Sequence, residues 1–437
     1  MKIQLTFVFT LGLFSLCTTG LLGQSLLLEE VQVIDPTTET VKTGYVEMKD
    51  GKLVAIHTKK RRRFKGQRVN LKGKYLVPGF SDMHVHSYGN FSPTNNYMDA
   101  LGTDGTAKHM LYCGVVRFLD LFLDEDYIFG MRDKQRSEGL AGADIYCAGP
   151  MLTATGGHGT EYGVPTRIIN TPEEATNTIN DLARRKPDVI KIVYDHNQMY
   201  MPTIDKPTMV AAVNTAKANG LSTVIHMGSW NDVIDVLEAG ATAITHVPPG
   251  PMPPRVAELM VEKNAYAIPT FCVQGDLPYF SANPKAQQHP LLNKVTTPEL
   301  MTTYQDTLAY TQGFKFWMVY QRLHIKSNYA AMGQLNAAGA QIMTGTDVGN
   351  PGTFQGYSLH RELVHLVNSG LTNWQALRAT TTLPCKFLGL PAPLAPQAAA
   401  SFVVLNTSPV DDIHNTTDIH MVIHHGKIVD REALLDK

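Results

Sequence analysis

The sequence predicts an α/β protein: a (β/α)8 barrel carrying a small β-sandwich made from both chain ends. Three observations predict it. The long middle of the chain alternates apolar strand patterns with amphipathic helix patterns, which implies parallel strands joined by right-handed crossovers. Both ends read instead as short alternating strands with tight turns. The apolar strands of the middle also keep ending on polar, metal-capable side chains, at the end where barrel proteins carry function.

At the start, "LLEEVQVID", "GYVEMKDGKLVAIH" and "QRVNLKGKYLVPG" read as strands, with "KDGK" as a hairpin turn. The tail repeats that grammar in "ASFVVLN" and "DIHMVIHHGKIVDRE", with "HHGK" as its turn. Two all-β pieces at opposite ends of a chain can close one small sandwich, with the middle inserted between them. The basic run "KKRRRFKGQR", residues 59–68, reads as a solvated hairpin between two short strands.

In the middle, "LVPGFSDMHVH" gives the first barrel strand. Its His84 and His86 point to one side, because the strand period is two. "GVVRFLD" is the second strand, closing on Asp120, and "ADIYCAGPM" is the third. "TPEEATNTINDLARRK" is a helix with a capping start at Thr171. "DVIKIVYD" is the fourth strand and carries Lys191. "KPTMVAAVNTAKANG" is a helix stopped at Gly220. "LSTVIHM" and "ATAITHV" are the fifth and sixth strands, ending at His226 and His246, with the helix "WNDVIDVLEAG" between them. The helix "PPRVAELMVEKN" leads to the seventh strand, "AYAIPTFCV". After an insertion at about residues 274–329, "AQIMTGTDVG" is the eighth strand and ends near Asp347. An open doubly wound sheet is the competing fold, but no G-x-G-x-x-G loop follows the first strand.

The chain has 437 residues, 43% hydrophobic, with a net charge of −1. That suffices for one large and one small domain, and gives no global pull toward nucleic acid. The first 23 residues read as a signal peptide: Lys2, an apolar stretch, then small residues up to Gly23. The stretch is too short and poorly flanked for a spanning helix. The protein is therefore expected to be exported, periplasmic or secreted, with no stable membrane insertion after cleavage. The expected division is signal peptide 1–23, sandwich parts 24–78 and 389–437, and barrel 79–388. Cys113, Cys147, Cys272 and Cys385 are expected as buried free thiols, since three lie in or beside apolar strands.

Imidazole and carboxylate groups at several strand ends suit a divalent metal ion such as zinc, although manganese, cobalt and iron also take such ligands. No G-x-S-x-G elbow offers a competing nucleophile. With "LVPGFSDMHVH", "GGHG", "DVIKIVYD", the His226 and His246 strands, "GTDVG" and "SLHRELVHLVNSGLTNWQALRATTTLPCKFLGL", the chain resembles the amidohydrolase superfamily from about residue 33 onward. Within it, the resemblance is to the imidazolonepropionase-like and prolidase-like (Xaa-Pro and related dipeptidase) branch.

The resemblance implies two divalent metal ions in the barrel mouth, zinc being the expected one. It places His84, His86 and Asp347 on one ion and His226 and His246 on the other. Lys191 would bridge them as a lysine carboxylated by carbon dioxide. A lysine among Ile190, Ile192 and Val193 is costly to charge, so its pKa falls from ~10.4 and its neutral amine can react. The plainer alternative is a lysine paired with a carboxylate at the strand end.

The implied chemistry is hydrolysis of a carbon–nitrogen bond by metal-activated hydroxide, with Asp347 moving the proton. The expected substrate is a small molecule, a dipeptide or an N-acyl amino acid. A cyclic-amide or imidazolone hydrolase, a deaminase, and a non-catalytic ligand-binding relative are the alternatives. His158 and Tyr194 are candidate substrate contacts. Asp120 and the His360, Arg361 and Glu362 run at a helix start are expected to be structural. Leu119 stands where the family often has arginine, and Ser401 where it usually has aspartate. The insertion, with Phe316 and Trp317 as core or interface residues, is expected to be a lid or a homo-oligomer contact.

Overall fold

The computed structural model describes residues 25–94, 97–197 and 201–435. The expected signal peptide lies outside the described residues. Among them, no helix is long and apolar enough to cross a membrane.

Both chain ends contribute to one eight-stranded sheet. Strand Ser25–Asp35 pairs antiparallel with Thr40–Lys49 and in parallel with Tyr75–Pro78. Tyr75–Pro78 in turn pairs antiparallel with Phe402–Leu405 of the tail. The "KDGK" and "HHGK" turns form as expected. Their central residues Asp50, Gly51, His425 and Gly426 all have positive φ, which matches the twist of a two-residue hairpin.

The basic run does not form the expected hairpin. Lys52–His57 pairs with Thr40–Lys49, whereas Gln67–Asn70 pairs in parallel with Ser25–Asp35. The run is a crossover. It is anchored by Arg61 to Glu47 at 3.2 Å and by Arg68 to Glu29 at 2.7 Å. Those partners lie on two different strands, which a strand pattern read locally does not reveal.

The middle of the chain holds two parallel sheets. One orders Asp144–Cys147, Val115–Asp120 and Phe80–Val85. The other runs from Arg167–Ile168 and Met151–Thr153 through Val189–Val193, Ser222–His226, Ala243–Thr245 and Tyr266–Ile268 to Gln341–Ile342. The third expected strand is thus split at Gly149, which has φ +79°, and Pro150. The eighth is regular only over Gln341–Ile342, and Met343 to Asp347 continue as irregular chain with single main-chain bonds to the neighbouring strands. Hydrogen bonds run between the two sheets at both sides. Asp188 N donates to Cys147 O at 2.9 Å; Met83 N donates to Thr344 O and Asp347 N to His84 O, at 3.0 and 2.8 Å. Met83, Leu119, Val189, Val224, Ala243, Ile268 and Met343 form one buried apolar cluster drawn from both sheets.

The helices begin where the sequence signals them. Thr171 caps Pro172–Ala183 by accepting from Glu174 N, and Ser229 and Asp232 form a full capping box on Trp230–Glu238. Lys206–Ala218 ends just before Gly220, which takes φ +70°. The insertion is helical, its longest element being Gln312–Ala337. Phe316 on that helix is 72% exposed and so is not a core residue, whereas Trp317 is partly buried and donates to Val273 O. The four cysteines are free and buried.

His360 shows what its helix start does. The ring is buried, with Nδ1 3.1 Å from Thr416 Oγ1 and Nε2 3.0 Å from Cys113 O, so it ties the helix to the tail. Burial lowers its pKa from 6.5 to about 3. Below 6.5 the unfolded chain takes up a proton that the folded ring refuses. The stabilisation is therefore complete above pH 6.5 and is lost as pH falls toward 3, by up to about 1.4 kcal/mol per pH unit. Denaturant titrations across that window should show a steeper acid loss for the native chain than for His360→Gln. Equal slopes would remove His360 from this role.

Candidate metal centre

Six side chains from five separate strands come together at the C-terminal ends of the parallel strands. His84 and His86 come from Phe80–Val85 and the residue after it, Lys191 from Val189–Val193, and His226 from Ser222–His226. His246 follows Ala243–Thr245, and Asp347 follows the eighth strand. His84 Nε2 lies 3.4 Å and His86 Nε2 3.0 Å from Asp347 Oδ1. His246 Nδ1 lies 3.9 Å from Asp347 Oδ2. The rings continue the cluster, with His84 to His246 at 5.1 Å and His246 to His226 at 4.6 Å between centroids.

Backbone strain accompanies this convergence. His246 and Asp347 hold φ of +75° and +56°, a region that costs a non-glycine residue of order 1–3 kcal/mol. Each is locked there by a main-chain bond to its neighbouring strand, His246 N to Ile268 O and Asp347 N to His84 O. Glycines make room for the ligands. A methyl group on Gly349, at φ +111°, would lie 2.8 Å from both Cβ and the carbonyl oxygen of His86. Gly349→Ala is expected to displace His86 and weaken metal affinity by roughly 10–100-fold, a range typical for disturbed ligand support. Metal titration of the folded variant checks this, and native affinity would contradict it.

The electrostatics favour ligation. Burial, reinforced by Lys191 and the neighbouring imidazoles, pushes His84 and His246 well below their usual pKa. Burial likewise lowers His226 to about 4, against the opposing pull of Asp195. Neutral imidazoles keep a lone pair for a metal. Lys191 is 1% exposed, and its Nζ has no hydrogen-bond partner. Burial lowers it to about 7, with only Asp347 pulling the other way. An orphaned amine among imidazoles has no structural explanation within the described residues. Its neutral form suits the chemistry that makes a lysine into a ligand. His84, His86 and Asp347 bring their ligand atoms within 4.8 Å of one another. The donor set and the orphaned Nζ together fit divalent metal ions.

Several supporting residues were not legible beforehand. Thr245 Oγ1 meets His84 Nδ1 at 2.6 Å, and Thr270 Oγ1 meets His246 Nδ1 at 2.7 Å, fixing both ring orientations. Asp195 Oδ2 lies 3.0 Å from His226 Nε2. The only sequence signal for these is a polar residue one step from a strand-end histidine or at the end of the seventh strand. Asp82 accepts from Thr346 N, Thr346 Oγ1 and His84 N, yet burial still raises it to about 7.

His158 does join the site. Its ring lies 4.6 Å from that of His226, and its Nδ1 pairs with Glu161 at 2.7 Å. Tyr194 does not join. Residues alternate along the fourth strand, so Tyr194 faces the helices, and its hydroxyl donates to Asp235 at 2.9 Å. Asp120 is buried and accepts from Ser87 N, Ser87 Oγ and Phe122 N, an arrangement that shapes the loop after the first strand.

Comparison with known proteins agrees with this architecture. The amidohydrolase family model matches residues 75–429, and the chain belongs to that family. Among solved structures, a Xaa-Pro dipeptidase with bound methionine superposes with a TM-score of 0.74 at 18% identity, covering 93% of this chain and 100% of that one. A. niger ochratoxinase superposes with a TM-score of 0.70 at 18% identity over 93% of this chain and 95% of its own. Molinate hydrolase gives 0.72 at 17% identity over 94% and 96%. The adenine deaminase of Desulforamulus reducens is 35% identical over 65 residues, 14% of this chain and 10% of that enzyme. This chain thus aligns with only about a tenth of that relative's length.

Proposed function

We propose that this chain is an exported, metal-dependent hydrolase of amide-type carbon–nitrogen bonds, acting on dipeptides or N-acyl amino acids. The observation that carries the reading is Lys191: a buried amine without a partner, facing imidazoles held neutral. In this reading His84, His86 and Asp347 hold one divalent ion and His226 and His246 the other. The neutral Lys191 amine would add through its lone pair to carbon dioxide, forming an N–C bond and releasing a proton, and the resulting carbamate would offer its oxygens as further ligands to the metal centre.

Bound zinc supplies Lewis-acid activation of water and of the substrate carbonyl. Asp347 accepts the proton of the attacking water at a carboxylate oxygen. As the new C–O bond forms and the C–N bond breaks, it delivers that proton to the leaving nitrogen. Thr245 and Thr270 keep His84 and His246 in orientation. His158, whose ring lies 4.6 Å from that of His226, is the proposed substrate contact.

We also read the two parallel sheets as one closed (β/α)8 barrel, a reading supported by the hydrogen bonds that join them on both sides. The terminal sheet is read as the small sandwich. Its core of Leu26, Leu28, Val46, Leu76, Phe402 and Val404 comes from its own strands, which supports a sheet folded on itself. The division into sandwich parts 24–78 and 389–437 and barrel 79–388 is proposed on the same grounds, and the signal peptide 1–23 on the sequence alone.

The dipeptidase superposition supports peptide substrates, and the short match to an adenine deaminase keeps a deaminase as the second reading. A panel of dipeptides, N-acyl amino acids, cyclic amides and aminopurines, run on zinc-loaded protein, separates them. Release of free amino acids is the expected result. Ammonia release from an aminopurine without peptide cleavage would replace this reading with the deaminase one.

A further inference from the structure

A second polar cluster lies at the opposite ends of the parallel strands, away from the metal centre. Arg117 on Val115–Asp120 and Asp144, the first residue of Asp144–Cys147, are register partners on neighbouring strands. Both line a cavity of about 120 Å³, together with His425 of the tail hairpin and apolar walls from Leu390, Pro391 and Ala398.

Neighbouring opposite charges in register would ordinarily pair. These do not. Asp144 Oδ1 is taken by His425 Nε2 at 2.8 Å and His424 Nε2 at 3.4 Å. Arg117 Nη1 reaches Ser81 Oγ at 3.0 Å and Cys385 Sγ at 3.4 Å. Arg117 is only 6% exposed, and its Nε has no partner. Buried donors of a charged group are almost always satisfied, so one left unpaired on a residue that lines a cavity points to a missing acceptor. A guanidinium edge presents a planar pair of donors that matches a carboxylate.

The charges agree. Burial alone would raise the Asp144 carboxyl, but His424 and His425 outweigh it and hold it below the usual carboxylate range. The same contact raises His425. Asp144 is thereby answered, and the Arg117 charge is the one left uncovered. Asp144, His424 and His425 also bring three ligand atoms within 4.8 Å, the geometry of a cation site. Arg117 argues against that occupant. Its charge disfavours protonation of both imidazoles and would oppose a divalent ion in the same place. Ser401 fixes the hairpin around the cavity. Its Oγ lies 3.1 Å from His424 Nδ1 and accepts from His425 N.

We propose that this cavity is a second, non-catalytic site for a small carboxylate with a short aliphatic tail, held by Arg117 and His425 between the barrel and the tail hairpin. The proposal is independent of the reading of the metal centre, which these residues do not touch.

Isothermal titration of the zinc-loaded, full-length chain with butyrate tests it, with inorganic phosphate as a second arm. One butyrate per chain is expected. Arg117→Gln should weaken it at least about tenfold, and His425→Asn, which suits the turn, should weaken it less. Turnover of both variants should match the native chain. If Arg117→Gln does not fold, Arg117→Lys carries the test, because it keeps the charge and loses the planar pair of donors. Butyrate binding unchanged by these substitutions would place it at the metal centre and overturn the proposal. Phosphate binding more tightly than butyrate would overturn the carboxylate assignment. Loss of one zinc equivalent in His425→Asn would establish a cation site instead.

Discussion

Asp347→Asn is expected to yield a folded protein that turns over substrate roughly 10²–10⁴-fold more slowly, the range a positioned acid–base group supplies. The amide keeps the size of the carboxylate and the main-chain bond from Asp347 N to His84 O, so the strained backbone at φ +56° survives. What disappears is the basic oxygen. Asp347 faces three of the clustered imidazoles, His84, His86 and His246, at 3.4, 3.0 and 3.9 Å, whereas Asp195 pairs with His226 at 3.0 Å. Asp82 could not take over. Its two oxygens are committed to Thr346 and His84 N, behind the first strand. Single-turnover kinetics on the folded variant measure the effect. A native rate would remove Asp347 from proton transfer and leave it a ligand at most.

Lys191→Ala is expected to have the larger effect, because in the proposed reading it takes away a ligand shared by the whole centre. The variant should purify with its metal content cut by half or more and with no measurable turnover. Nζ makes no hydrogen bond, so its loss breaks no structural contact, and the fold should persist. The vacated space lies beside the clustered imidazoles, while Ile190 and Ile192 alternate to the helix-facing side and keep their packing. Short carboxylic acids supplied with zinc should restore part of the activity by standing in for the missing carbamate. Elemental analysis decides the matter: a full metal complement in Lys191→Ala would end the bridging role. Activity with the amine deleted would end it too.

The sequence reveals the strand-end histidines, Lys191 and Asp347, because chemistry-bearing residues interrupt apolar runs at a fixed place in each unit. Thr171 announced its helix through a local hydrogen bond that needs nothing distant. What escaped depends on distant partners. Thr245 and Thr270 look like ordinary strand-end residues until the neighbouring strand brings a histidine to each. Tyr194 was misread because its proximity to Lys191 in sequence hides the alternation that sends it to the opposite face. The crossover at residues 59–68 was misread for a related reason. Two strands adjacent in sequence can belong to different partners in a sheet, and alternation alone does not say which. The cluster at Arg117 joins residues more than 300 positions apart along the chain, and nothing local marks it.

The most direct test of the central claim is the metal content of the native chain, purified without chelators and verified as folded. Two divalent transition ions per chain are expected, lost together with activity on chelation and regained together on adding zinc. Folded protein that carries no such ion and gains neither metal nor activity from added zinc would contradict the account.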